Sequence, residues 1–117
     1  MSPPTDDARC DEPHAPHARA RDVSRAIAER AASYFRALGD ADRLLLLVQL
    51  AGGEVCVSEL ADTLDEALST VSQRLRLLRA EGLVKRRRAG KHVFYALADA
   101  HVHELLHSAI DHAGEAR

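Results

Sequence analysis

The sequence predicts a mainly α-helical domain carrying one small β-hairpin, and three observations predict it. Apolar residues recur at helical spacing in successive segments from about residue 22 onward. Glycines or N-capping residues fall where most of those segments change. One stretch, Leu83–Leu97, departs from the helical pattern, with two short β-type runs around Ala89-Gly90-Lys91.

In chain order, Val23, Ile27, Ala31, Tyr34, Phe35 and Leu38 set a first helix over about 22–38, which Gly39 ends. Asp40 is an N-cap for a second helix, whose Leu44–Val48 run is apolar nearly all round and so expected to be buried. Ala51-Gly52-Gly53-Glu54 breaks it. Val55-Cys56-Val57 is a short extended lead into a third helix, Ser58–Leu64, and Asp65-Glu66-Ala67 connects to a fourth over Leu68–Glu81. Leu68, Val71, Leu75 and Leu78 line one stripe of that helix. Gly82 stands at its C′ position, followed by the apolar Leu83 that such a cap favours. Strands Leu83–Arg88 and His92–Leu97 form the hairpin, and a last helix over Ala100–Ala113 has Asp99 as its cap.

All four prolines, Pro3, Pro4, Pro13 and Pro16, fall among Asp, Glu, Arg and His at the start of the chain. Residues 1–21 therefore read as a disordered arm and 22–117 as one folded domain. With two Tyr, two Phe and no Trp, the core must be built from aliphatic side chains. A domain this small gains stability by oligomerising. No stretch reaches the roughly 18–20 apolar residues that span a bilayer, so no membrane partner is expected. Cys10 and Cys56 do not make a disulfide framework, which fits a reducing cytoplasm with both thiols open to metal or redox chemistry.

The net charge of −2 hides an asymmetry. Between Arg74 and Lys91 lie eight cations and one anion, Glu81, for a local charge of +7. A charge run is ordinarily a solvated face. Here it falls on the fourth helix and the hairpin. Two short helices, a tight connection and a basic hairpin, in that order, make a winged helix-turn-helix, a DNA-binding architecture.

From Leu38 to Arg117 the chain resembles the ArsR/SmtB family of metal-sensing repressors. The resemblance rests on Leu38-Gly39-Asp40-Ala41-Asp42-Arg43, Glu54-Val55-Cys56-Val57-Ser58-Glu59-Leu60, Ser69-Thr70-Val71-Ser72-Gln73-Arg74-Leu75, Gly82-Leu83-Val84 and Gly90-Lys91-His92-Val93-Phe94-Tyr95, with Cys10 matching in the arm. It implies a homodimer joined through N- and C-terminal helices, bound as the apo form to an imperfect inverted repeat in operator DNA and released by metal. The genes controlled would serve metal efflux or sequestration. The chain departs from the family at Glu66 and Ala67, where an apolar residue and a small capping residue are usual. Ala67 has no capping side chain, so Asp65 is expected to cap the fourth helix, or the helix to start one or two residues late.

On that helix Ser69, Gln73 and Arg76 oppose the apolar stripe, flanked by Thr70 and Ser72. Short polar groups near the start of a helix in the major groove reach base edges. Arg74, Arg79, Lys85, Arg86, Arg87, Arg88 and Lys91 are assigned to phosphates, which position without specifying.

Asp99-Ala100-His101 and His112-Ala113-Gly114-Glu115 carry the strongest chemical signal. His101 and His112 share a face but stand about 16 Å apart along one helix, too far for a common ion held at about 2 Å. Antiparallel pairing with a second copy brings Asp99 and His101 beside the partner's His112 and Glu115, giving two symmetric shells suited to Zn²⁺. The same pattern is the zinc site on the C-terminal helix in the resembled family. A second set follows from the resemblance: Cys10 and His14 of the arm with Cys56 and Glu59, favouring Zn²⁺, Cd²⁺ or Pb²⁺, with Co²⁺ also accommodated. His17 is a substitute ligand. Cys56-Val57-Ser58 lacks the Cys-x-Cys of arsenite sensors. His103 and His107, an i, i+4 pair on another face, are read as surface residues.

The competing reading is a zinc-buffering or interaction protein whose winged helix no longer reads DNA; the +7 patch argues against it. An enzyme is not expected, because no phosphate-binding glycine loop or nucleophile motif is present and both metal sets fill four positions with protein ligands.

Overall fold

The structure, a computed structural model, describes Pro13 and residues 20–115. The elements are α1 (Arg25–Leu38), α2 (Ala41–Leu50), β1 (Val55–Cys56), α3 (Val57–Leu64), α4 (Leu68–Ala80), β2 (Val84–Ala89), β3 (His92–Leu97) and α5 (Ala100–Gly114). Cys10, His14 and His17, with most of the arm, lie outside the described residues.

Capping chemistry sets most boundaries. Asp40 accepts from the Arg43 amide at 3.0 Å and Asp99 from the Val102 amide at 3.1 Å, so α2 and α5 start where their caps predict. Helix α1 starts three residues later than expected, because Ser24 caps it by accepting from the Ile27 amide at 3.2 Å. At the end of α4 Gly82 takes φ +79° and donates to Arg79 while Leu83 donates to Leu78, both at 3.0 Å. That double bond pattern is a Schellman cap, and the positive φ is why a glycine stands there.

Two expectations for the helix-turn-helix need correcting. Asp65 does not cap α4. It adopts a left-handed conformation, φ 54°, and closes α3, with Asp65 donating to Asp62 and Glu66 to Ala61. Helix α4 starts behind Ala67 with no side-chain cap at all, yet still at Leu68. Leu68 is also not part of the buried stripe: it is 50% exposed, whereas Val71, Leu75 and Leu78 are fully buried.

The sheet is larger than a hairpin. Val55 and Cys56 pair antiparallel with Tyr95 and Phe94, so the order is β1-β3-β2. Between β2 and β3, Ala89 pairs with His92 and the two-residue turn opens on Gly90 at φ +62°, as a tight hairpin requires.

Leu46, Leu47 and Leu50 of α2, Leu60 of α3, Val71, Leu75 and Leu78 of α4, Leu83, Val84, Val102 and Leu106 make one core that is aliphatic but for Tyr95. The Leu44–Val48 run is not buried all round as expected: Leu46 and Leu47 are buried, Leu44 and Val48 half-buried and Leu45 exposed. The apolar face of α1 is only partly used: Ala37 is buried, while Val23, Ile27 and Phe35 are more than half exposed, and Ile110 on the outer side of α5 is exposed too. No helix among the described residues is long and apolar enough to cross a membrane.

Candidate DNA interface and metal-ligand positions

Burying Val71, Leu75 and Leu78 turns the opposite side of α4 to solvent. Ser69, Gln73 and Arg76 are exposed there, and Thr70 and Ser72 are half-buried at its margins. The sequence placed Arg74 with the phosphate contacts, but the structure gives it another task. Its guanidinium donates to Glu66 at 2.7 Å and reaches Asp42 at 3.5 Å, with about a fifth of the side chain exposed. The hydrogen bond to Glu66 raises the arginine's pKa further above its ordinary value. Glu66 thus has a local reason to be acidic: it ties α4 to the α3–α4 connection, and Asp42 extends the tie to α2.

The wing shows a similar division. Arg87 donates twice to Glu54, at 2.9 and 2.7 Å, and its guanidinium lies 4.7 Å over the Phe94 ring. This fork-on-carboxylate pairing holds Glu54 below its usual carboxylate range and raises Arg87. Arg76, Arg79, Lys85, Arg86, Arg88 and Lys91 are exposed with no ion-pair partner among the described residues. These six form the uncompensated basic surface, running from α4 onto the wing.

The four predicted α5 ligands fall into two pairs at opposite ends of the helix. His101 Nδ1 lies 3.9 Å from Asp99 Oδ1, and His112 Nδ1 lies 3.7 Å from Glu115 Oε1, all on exposed side chains. Asp99 Oδ1 also caps the helix, which leaves Oδ2 for an ion. Among the described residues no three histidine, cysteine or acidic groups come together within the chain. On a second face His107 Nε2 lies 3.1 Å from Asp111 Oδ2 and its ring stacks on His103 at 6.2 Å between centroids.

Of the second predicted set only Cys56 and Glu59 are described. Glu59 is exposed in the first turn of α3. Cys56 is half-buried at the junction of β1 and α3. Its Sγ is 3.5 Å from Ser58 Oγ and 3.7 Å from His92 Nδ1. The Ser58 hydroxyl and backbone, then the His92 ring, hold the thiol well below its ordinary value, at about 7. His92 was missed by sequence reasoning; its signal was present in the alternation that puts His92 and Phe94 on one face of β3.

Comparison with known proteins places this arrangement. The model of a family described as bacterial regulatory protein, arsR family, matches residues 40–86. A transcriptional repressor SmtB homolog from Synechocystis is 40% identical over 111 residues, covering 91% of this chain and 84% of that protein. The chain belongs to the ArsR/SmtB family. It is also 39% identical over 85 residues to a cadmium resistance transcriptional regulatory protein CadC homolog from Staphylococcus aureus, covering 72% of this chain and 70% of that one. Among solved structures, the homodimeric winged helix-turn-helix DNA-binding domain of a Mycobacterium bovis protein superposes with a TM-score of 0.72 at 32% identity, covering 81% and 90% of the two chains. These relatives are transcriptional regulators, and this ArsR/SmtB chain is a winged helix-turn-helix regulator and not an enzyme.

Proposed function

We propose that this ArsR/SmtB chain is a cytoplasmic, homodimeric, metal-responsive repressor that holds operator DNA as the apo dimer and is displaced when Zn²⁺ binds. The observation that carries the reading is the separation of the α5 ligands into Asp99–His101 at one end and His112–Glu115 at the other. Each pair is half a tetrahedral shell, and a second copy running antiparallel supplies the other half. The exposed apolar faces of α1 and α5 give that copy a surface to cover. On DNA, Ser69, Thr70, Ser72 and Gln73 face base edges, while Arg76, Arg79, Lys85, Arg86, Arg88 and Lys91 meet phosphates across an imperfect inverted repeat. Metal release of this kind suits control of efflux or sequestration genes.

Cys56 supports a second, thiolate site in the same protein. With Cys10 and His14 of the arm it suits Zn²⁺, Cd²⁺, Co²⁺ or Pb²⁺. The deciding experiment is titration of zinc into the purified chain bound to its own upstream DNA. The expected result is release at a stoichiometry of two ions per dimer. DNA binding unmoved by zinc, cadmium, cobalt or lead would refute the metal-responsive reading.

A further inference from the structure

We infer that His92, at the start of wing strand β3, is a metal ligand that joins Cys56 in the thiolate site, so that an ion bound there ties the wing to the start of α3. The inference rests on the reading of Cys56 as a ligand and extends it to a residue outside the arm and α3.

The geometry is that of a shared ion. Zinc–sulfur and zinc–nitrogen bonds of about 2.3 and about 2.0 Å at a tetrahedral angle put the two donor atoms about 3.5 Å apart. Cys56 Sγ and His92 Nδ1 are 3.7 Å apart. The rest of the coordination sphere must face open solvent for further ligands to arrive, and it does: His92 is exposed and Cys56 half-buried. Thiolate with imidazole is a donor pair that borderline and soft cations prefer over Mg²⁺ or Ca²⁺.

The sheet places this pair where it bears on DNA. Cys56 pairs with Phe94 and Phe94 with Arg87, so the three form one row across β1, β3 and β2. His92 lies two residues before Phe94 on the same face, its ring 6.1 Å from the Phe94 ring. Arg87 covers Phe94 and is anchored by Glu54, two residues before Cys56. An ion on Cys56 and His92 therefore changes the charge beside Arg87 and fixes the wing's root to the helix-turn-helix. Both act on the strand pair that carries Lys85, Arg86 and Arg88.

The test uses the full chain with His101→Ala and His112→Ala, which silence the α5 site, and Co²⁺ as the probe. Thiolate-to-cobalt charge-transfer absorption reports cysteine ligation, its loss of intensity in Cys56→Ser reports Cys56, and the ligand-field bands report coordination number and nitrogen content. With His92→Gln added, Co²⁺ affinity is expected to fall at least about tenfold, the loss that even an outer-shell change brings, and the ligand-field bands to change. The same affinity and bands in His92→Gln would overturn the assignment of His92 while leaving Cys56 a ligand. Charge-transfer absorption of undiminished intensity in Cys56→Ser would instead overturn Cys56 as a ligand. Should His92→Gln fail to fold, the unsubstituted chain decides. Spin coupling between an NMR-active cadmium isotope and His92 Nδ1 is expected, and its absence in a cadmium-saturated sample refutes the ligand.

Discussion

If the α5 site is shared between subunits, damage to it must obey a rule of complementation. His101 stands with Asp99 at 3.9 Å near the start of α5, and His112 with Glu115 at 3.7 Å near its end. The two pairs are about 16 Å apart along the helix. In a symmetric dimer a His101→Ala homodimer lacks one imidazole in both sites, and so does a His112→Ala homodimer. A mixed dimer places both losses in one site and leaves the other whole. Random reassortment of equal amounts makes about half of the dimers mixed, each with one intact site, so, with Cys56→Ser added throughout to silence the thiolate site, the mixture regains about one quarter of the α5-site zinc capacity. Zinc stoichiometry, read by competition with a chromogenic chelator, is measured on each variant and on their unfolded-and-refolded mixture. No recovery, with mixed dimers demonstrated by mass spectrometry, refutes the inter-subunit site.

Three more outcomes are expected. Replacing both Lys85 and Arg88 by Ala should weaken binding to all DNA sequences alike and flatten the salt slope by about two, whereas Arg87→Ala, whose charge Glu54 already neutralises, should change the slope little; an equal effect of Arg87 in a salt-titrated gel shift would place it on a phosphate. Arg74→Ala should lower the melting temperature by a few degrees while leaving the salt slope unchanged, because its contacts are Glu66 and Asp42; a lost unit of slope without a change in melting would return Arg74 to the DNA. In a Cys10→Ser chain, alkylation of Cys56 by iodoacetamide should be half-maximal near pH 7, and Ser58→Ala should move that midpoint upward, since the Ser58 hydroxyl is the largest cause of the lowered value. The sign follows: folding favours the thiolate, so this contribution to stability is fully present above the ordinary thiol range and is lost as pH falls through about 7. A midpoint in the ordinary thiol range would refute it.

Features that depend on neighbours in sequence were legible from the chain alone. Asp40, Asp99 and Gly82 cap their helices as their positions imply, because a cap is a contact within about four residues. Ser24 was legible by the same rule, but the apolar Val23 drew the expected start of α1 too early. Contacts across large separations were not legible. Arg74 reads as one more cation in a basic run until folding brings Asp42, 32 residues away, beside it. Cys56 reads as a partner for the arm until β1 pairs with β3 and delivers His92 from 36 residues away. Leu68 has the spacing of a core residue, yet on the first turn of α4 it is 50% exposed. On α5, the sequence implied the split of Asp99 and His101 from His112 and Glu115, because helix rise alone keeps the two pairs apart.

The fold also constrains how zinc would act on DNA. The Schellman closure at Gly82, the Arg74–Glu66–Asp42 ties and the fully buried Val71, Leu75 and Leu78 make α2, α3 and α4 one packed unit. A packed unit transmits displacement but does not deform continuously. An ion between two α5 helices therefore has one inexpensive route to the operator, which is rotation of one whole subunit against the other. That changes the separation of the two α4 helices, and helices reading successive major grooves tolerate little error in spacing. The coupling in such devices is typically about 1–3 kcal/mol and is reciprocal, so DNA must weaken zinc binding by the factor that zinc weakens DNA binding. An ion on Cys56 and His92 would act differently, within one subunit and through the wing. The two sites can then be told apart by their salt dependence: loss of groove spacing removes contacts from α4 and wing together, whereas restraint of the wing removes only those of Lys85, Arg86, Arg88 and Lys91.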